Sequence, residues 1–199
     1  MSKKECKDFV AAKLKQLTML PAPSAAAALS LLRRGVAVGP GQLPELWEWT
    51  IKGLSEESLC STDEPTKEEW AVHLALTLYA CHQQGNDIKL RNMHVDSVKF
   101  CSAIRSLSSG EGEIADERVL QRLKVAASAD SIDALAYYLR QLISLLRSSN
   151  IPFNYIELAG DIYDFQLVDR RASVRLKWAQ DYFRSDKNKN DNNNTKNEL

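Results

Sequence analysis

The sequence predicts an all-α protein of about eight helices. Most of the longer segments carry apolar side chains at three- and four-residue spacing, which is the period of an amphipathic helix. Capping residues precede several of these segments, and proline or glycine follows them. No segment shows the two-residue alternation of a strand, and no repeat of about 20–50 residues indicates a solenoid. At 199 residues the chain is long enough to bury a core without disulfide or metal support.

Two helices are predicted near the amino terminus. The first covers residues 3–20 and ends before Pro21, because proline disfavours a helical conformation in the residue that precedes it. The second covers residues 25–34 and is rich in alanine and leucine. Ser24 precedes it as an N-cap, and Gly35 follows it in the C′ position that favours glycine.

The next two helices follow a glycine-rich loop. Pro44 fits the first position of a third helix, which is predicted over residues 44–54. Thr66 and Glu69 have the spacing of a capping box, which predicts a fourth helix over residues 67–84. Helical spacing predicts one buried stripe on this fourth helix, made of Trp70, Ala71, Leu74, Leu78 and Cys81.

A linker-like segment interrupts the chain at residues 108–112, where serine and glycine dominate. Before it, Asp96 or Ser97 is expected to cap a fifth helix. After it, a sixth helix is predicted over residues 115–127. The linker therefore predicts an amino-terminal helical part and a carboxy-terminal helical bundle, in residues 1–107 and 113–184.

The most regular helical pattern lies in residues 132–146. Its apolar stripe consists of Ile132, Leu135, Ala136, Leu139, Leu142, Ile143 and Leu146. Asn154 is a predicted N-cap with Glu157 at position N3 of the next helix, and a last helix is predicted from about Asp169. Short connections between these three helices predict a bundle. Residues 185–199 contain almost nothing apolar, so we expect a disordered tail.

The composition predicts a cytoplasmic protein without membrane contact. The charged first residues are not followed by the apolar core of a signal peptide. No apolar run approaches the roughly 18–20 residues of a membrane span. The four cysteines are far apart and form no CxxC pair, which predicts reduced thiols: Cys6, Cys60, Cys81 and Cys101.

No motif predicts an enzyme, a metal site or a cofactor. His73 and His82 are nine residues apart, which does not place them on one helix face, and His94 lies in a predicted loop. Phosphate-binding loops and nucleophile motifs are absent from the sequence. Asp161 and Asp164 could place two carboxylates together on a helix, but such residues more often pair with lysine or arginine across a bundle.

The tryptophans are expected in the core rather than stacked on bases: Trp47, Trp49, Trp70 and Trp178. Trp178 can also use its indole N–H to tie the last helix to a neighbour.

The remaining candidates are long cations on several predicted helices. A formal net charge of zero argues against a strong free-standing nucleic-acid binder, but it does not exclude one basic face. If their helices lie side by side, these cations can form a phosphate track. The alternative of ordinary surface charges on a helical protein–protein adaptor stays open. The candidates are Arg33, Arg34, Lys99, Arg105, Arg118, Arg122, Lys124, Arg140 and Arg147.

Several motifs occur in a recognisable order. They are the segments Leu31 to Gly35, Pro44 to Trp47, Asp116 to Leu123, Leu139 to Leu146, Ile151 to Tyr155, Leu158 to Asp161 and Lys177 to Phe183. Their order and spacing resemble the CasB family, the small subunit of the type I-E CRISPR surveillance complex called Cascade. The resemblance covers about residues 24–183.

The resemblance implies an all-helical, non-catalytic protein that works within Cascade. Two copies would lie along the crRNA-bound backbone subunits, with the large subunit as a further partner. They would hold the opened target DNA, especially the displaced strand, through basic surface residues. Base pairing with the guide then reads the sequence, while protein charge stabilises the separated strands.

The resemblance also assigns particular arginines. Matches to arginines of the family motifs are found at Arg33, Arg34, Arg118, Arg122 and Arg140. Where the family carries further arginines, this chain has Val119 and Gln141. Together with the zero net charge, these two differences predict weak DNA binding by the free protein and a need for the assembled complex.

Overall fold

The computed structural model describes residues 2–59, 63–108 and 113–184, with backbone only for residues 113–116. In these residues no β-strand is formed, and the all-α prediction is confirmed. The chain forms α1 Lys3–Met19, α2 Ala22–Arg34, α3 Trp47–Thr50, α4 Lys67–His82, α5 Phe100–Ser106, α6 Glu113–Ala127, α7 Ile132–Ser148, α8 Tyr155–Phe165 and α9 Val168–Phe183. Short 3₁₀ turns occur at Gly35–Ala37, Pro44–Leu46 and Glu56–Ser58.

Helix α4 is the central element of the fold. It packs against α1, α2, α7 and α8. The predicted single stripe is wrong, because side chains on every face of α4 are buried. Trp70 and Cys81, which were expected in that stripe, are partly exposed. The predicted capping box is present, since Thr66 N–H donates to Glu69 Oε2 at 2.7 Å and Glu69 N–H donates to Thr66 Oγ1 at 3.1 Å.

The amino- and carboxy-terminal helices share a hydrophobic core. Helix α8 packs against α1 and α4, and buried residues from α1 to α9 form one cluster. Residues 109–112, the tail 185–199 and Cys60 lie outside the described residues. The division near residues 108–112 and the disordered tail therefore stay predictions.

Several local boundaries differ from the sequence expectation. Helix α2 begins three residues earlier than predicted, with Pro21 rather than Ser24 at the N-cap. The third helix is shorter than predicted, because the turn Pro44–Leu46 is 3₁₀ and α3 ends at Thr50. Helix α5 begins at Phe100, after Lys99 as N-cap. Neither Asp96 nor Ser97 caps it, since the chain stays extended at Lys99.

Glycine is needed at position 35 because of the space around it, not because of its backbone conformation. Its φ of −76° is not the left-handed conformation expected at C′. A Cβ at this position would lie 3.0 Å from Thr77 Cγ2 and still closer to Leu46 Cδ1. Glycine therefore allows the end of α2 to approach α4 closely.

The carboxy-terminal predictions are largely confirmed. The stripe of α7 is buried at Leu135, Leu139, Leu142, Ile143 and Leu146. Asn154 caps α8, because its side-chain oxygen accepts from Glu157 N–H at 3.0 Å. Trp178 is 2% exposed and donates its indole N–H to Asp161 Oδ2 at 2.9 Å. The last helix is thus tied to α8, as the sequence suggested.

The two aspartates of α8 bind cations rather than each other. Asp161 accepts from Lys177 at 2.5 Å, and Asp164 pairs with Lys3 at 2.6 Å and with Arg170 at 3.1 Å. Burial raises the pKa of Asp161, and Lys177 opposes this rise. Both carboxylates therefore link helices.

Trp47 does not lie in the core, which corrects the sequence expectation. It is 50% exposed and donates its indole N–H to Gly41 O at 3.1 Å. The helix that was expected to bury it is only one turn long. In the described part of the chain, every helix is too short or too polar to cross a bilayer.

Candidate nucleic-acid interface

An open groove lies between α2, α4 and α7, and three of the predicted cations line it. Its volume is about 380 Å³. We call it the arginine groove; its lining includes Arg33, Cys81, Gln84, Arg140, Ser144 and Arg147. Its described lining contains three guanidinium groups and no carboxylate. An anion is the chemical partner that such a surface favours.

Local helix geometry places these arginines. Arg33 lies in the last turn of α2, where the negative end of the helix dipole favours a cation. Arg140 and Arg147 lie two turns apart on the same flank of α7. The rotation of α7 is fixed because Leu139, Leu142, Ile143 and Leu146 are buried. Burial of the apolar stripe therefore turns this flank towards α2 and α4.

The charges of the groove are largely available for a ligand. Arg33 and Arg140 make no hydrogen bond or ion pair with any described residue. Arg147 donates Nη1–H to Gln84 Oε1 at 2.6 Å, which holds it at the groove without neutralising its charge. Arginine donates in a planar fork that fits phosphate oxygens.

The positive charges of the three guanidinium groups all affect the Cys81 thiol. Burial raises the pKa of Cys81, and Arg140, Arg33 and Arg147 oppose that rise. Because burial dominates, the thiol stays protonated at neutral pH and is a poor nucleophile. The site can therefore hold an anion, and its cysteine does not offer thiolate chemistry.

Three other predicted cations already have partners within the protein. Arg34 pairs with Glu45 at 3.1 Å on the surface. Lys99 pairs with the buried Asp181 at 2.7 Å, and Arg105 donates to Arg184 O at 3.0 Å. Lys99 and Arg105 thus connect α5 to the end of α9. None of the three lines the arginine groove.

The remaining three predicted cations lie on α6. Arg118, Arg122 and Lys124 are exposed and make no hydrogen bond or ion pair with described residues. Arg122 and Lys124 border shallow cavities between α6 and α7, beside Tyr138. Helix α7 therefore has cations on both sides. The structure brings Arg33, Arg140 and Arg147 together and leaves the α6 set on a neighbouring surface.

Sequence reasoning missed several residues of the groove. Ser144 lies one turn after Arg140, so helical spacing alone could have identified it. The sequence predicts Cys81 in the core, but in the structure it is partly exposed at the edge of α4, the most buried helix. Gln84 carries no signal in the sequence, because only the approach of α7 to the end of α4 brings it to Arg147.

The described residues give little support for a metal site or for reactive histidines. Within them, no group of three or more His, Cys, Asp or Glu side chains could hold a metal ion. His73 Nε2 lies 2.9 Å from both Gly35 O and Val38 O, and His82 Nδ1 lies 3.0 Å from Tyr155 Oη. These histidines thus serve packing and hydrogen bonding.

The fold and the groove define an all-helical protein with a cationic surface groove. The family model for the CRISPR-associated protein Cse2 matches residues 28–183, and the chain belongs to this family. The resemblance to CasB seen in the sequence is thereby confirmed.

Two solved structures share the fold. The chain is similar to CasB from Thermobifida fusca, with a TM-score of 0.72 and 29% identity over 89% of this chain and 97% of that chain. It is also similar to a Cse2-family CRISPR-associated protein from Thermus thermophilus, with a TM-score of 0.63 and 23% identity over 92% of this chain and 99% of that chain. No curated protein matches the chain significantly.

Proposed function

We propose that this chain is a non-catalytic, cytoplasmic small subunit of a type I-E CRISPR surveillance complex, Cascade. In that complex it holds target DNA, including the displaced strand of the R-loop, through the arginine groove. Family membership supports the assignment to a CRISPR complex. The observation that carries DNA binding is that Arg33, Arg140 and Arg147 line one groove without a carboxylate.

The groove is suited to the backbone of DNA rather than to its sequence. Guanidinium groups contact phosphates through charge and hydrogen bonds, which positions a strand without reading its bases. In an RNA-guided complex the guide reads the sequence, so the protein only has to stabilise the opened strands. Three arginines from two helices give a short contact that other subunits extend.

The α6 cations extend this surface in the proposal. Arg118, Arg122 and Lys124 are exposed and free of described partners, so DNA contact with them breaks no internal contact. Arg34, Lys99 and Arg105 would each have to leave an internal partner to bind a phosphate. We therefore assign them a smaller share of the binding.

The proposed protein partners are the backbone and large subunits of Cascade and a second copy of this chain. A surface for such contacts lies on α9, where Val168, Leu176 and Phe183 are exposed. This surface also favours the second candidate function, a helical adaptor without nucleic-acid contact. The two candidates differ in one respect, the role of the arginine groove.

The deciding experiment uses the chain purified together with a crRNA-containing complex. Target-DNA binding is measured over a range of salt concentrations for wild type and for Arg33→Ala/Arg140→Ala. A phosphate-binding groove predicts lower affinity and a flatter salt dependence in the variant, by about 0.7 per lost contact to a single strand. If the variant assembles normally and its affinity for DNA and salt dependence are unchanged, the function is that of the helical adaptor.

A further inference from the structure

A second cavity adjoins the arginine groove. It measures about 280 Å³ and shares Val36 and Arg140 with the groove. Its other lining residues include Trp70, Asp133 and Tyr137. We call it the aromatic cleft. A bound strand that occupies the arginine groove therefore passes the opening of this cleft at Arg140.

Two walls of different origin form the cleft. Asp133, Tyr137 and Arg140 are spaced four and three residues apart along α7, so they follow one edge of that helix. The opposite wall is the turn after α2 together with Trp70 of α4. Gly39 lies beside the indole, since a Cβ on it would be 3.5 Å from Trp70 Cη2, an ordinary contact distance.

Tyr137 is the unusual residue of this site. It is 62% exposed, because its large ring lies outside the buried apolar stripe of α7. Its ring contacts Tyr138 at a centroid distance of 5.3 Å, which supports it from one side. A supported and exposed aromatic ring beside an arginine is the combination that proteins use to stack bases of single strands.

We propose that the aromatic cleft holds one unpaired nucleobase of the DNA strand whose phosphates lie in the arginine groove. This inference rests on the proposed function and adds a base-binding site to it. A base inside a duplex is already stacked and paired, so only an opened strand can supply one. The volume is just below the roughly 300 Å³ at which small-molecule pockets begin, which suits a single ring system.

The charges at the cleft favour a neutral base over other occupants. Asp133 repels a phosphate or a carboxylate, and Arg140 repels a lysine or arginine side chain of a partner protein. A base edge presents donors and acceptors side by side. An exocyclic amino group can donate to Asp133 while a ring nitrogen or carbonyl accepts from Arg140. Adenine, cytosine and guanine have such an edge, and thymine lacks the amino group.

The test compares intact strands with abasic strands in the crRNA-containing complex. Binding of target DNA is measured for wild type, Tyr137→Ala and Tyr137→Phe, with a displaced strand that is either intact or abasic throughout the opened region. Leu90→Ala is the control, because Leu90 is 88% exposed in the turn after α4 and lies outside both cavities.

Loss of one stacking contact predicts about 5- to 150-fold weaker binding of the intact strand by Tyr137→Ala. Tyr137→Phe and Leu90→Ala should bind like wild type. On the abasic strand, Tyr137→Ala and wild type should bind equally. The salt slope should not change in any of these variants, because none alters a charge.

Three results would overturn the base site. Tyr137→Ala could bind the intact strand like wild type, or its loss could persist on the abasic strand. It could also fail to co-purify with the complex while folding normally, which would mean that a protein occupies the cleft. If arginine variants still flatten the salt slope in these cases, only the base site is refuted. If they do not, the proposed function itself fails.

Discussion

Arg33 of α2 and Arg140 of α7 line the same groove although they are far apart in the sequence. Neither forms an ion pair with a described carboxylate, whereas the next residue after Arg33 does, since Arg34 pairs with Glu45. Adjacent arginines therefore differ in what they can contribute to the proposed DNA binding.

This difference predicts unequal effects of two neighbouring substitutions. Arg33→Ala should weaken target-DNA binding by the complex about tenfold or more, because a charge-assisted contact to phosphate is lost. Arg34→Ala is the matched control and should have a smaller effect. Binding curves at several salt concentrations measure both. Equal losses for the two variants would show that the groove does not set the path of the strand.

Leu139→Ala or Leu142→Ala should lower the free energy of unfolding by about 2–5 kcal/mol. Both side chains are buried in the stripe of α7, so truncation removes apolar burial and leaves a cavity. Gln141→Ala, on the exposed face of the same helix, should stay within about 0.5 kcal/mol of wild type. Denaturant unfolding followed by circular dichroism measures all three. A loss near zero at Leu139 and Leu142 would contradict their burial.

The pKa of His82 predicts that stability falls in mild acid. Burial, with Arg147 adding to it, lowers the pKa of His82 from 6.5 to about 4. The unfolded chain therefore binds a proton that the folded protein does not, and stability decreases as the pH falls from about 6.5 towards 4. The decrease should reach about 3 kcal/mol.

The comparison of wild type with His82→Gln isolates this contribution from that of other titrating groups. Unfolding free energies are measured from pH 7 to pH 4. They should converge for the two proteins as the pH falls, because only wild type loses stability through the lowered pKa of His82. Parallel pH profiles would contradict the assignment.

Gly35→Ala should destabilise the protein by about 1–3 kcal/mol, because the added Cβ meets the side chains of Leu46 and Thr77 in a packed interior. Gly39→Ala is the control, since its nearest neighbour would be the end of the Gln42 side chain at 3.2 Å. Thermal unfolding measures the difference. Equal stability of Gly35→Ala and wild type would mean that α2 can move away from α4 without cost.

Local signals account for most of the fold that the sequence predicted. The caps at Thr66 and Asn154 depend on residues within one helical turn, and both are present. The stripe of α7 depends only on spacing within one helix, and its central leucines are buried as expected. The stripe on α4 was wrong because a helix that is apolar on all sides gives no single preferred face.

The sequence by itself determined the all-α class, most helix positions and the set of long cations. Tertiary structure alone decided which cations are available for the proposed contact with DNA, because the groups that pair with the others come from separate elements of the chain. Asp181 pairs with Lys99, and the packing of α2 and α7 around α4 brings Arg33 to Arg140 and Arg147. Spacing within one helix cannot predict such contacts, since they depend on how separate helices pack.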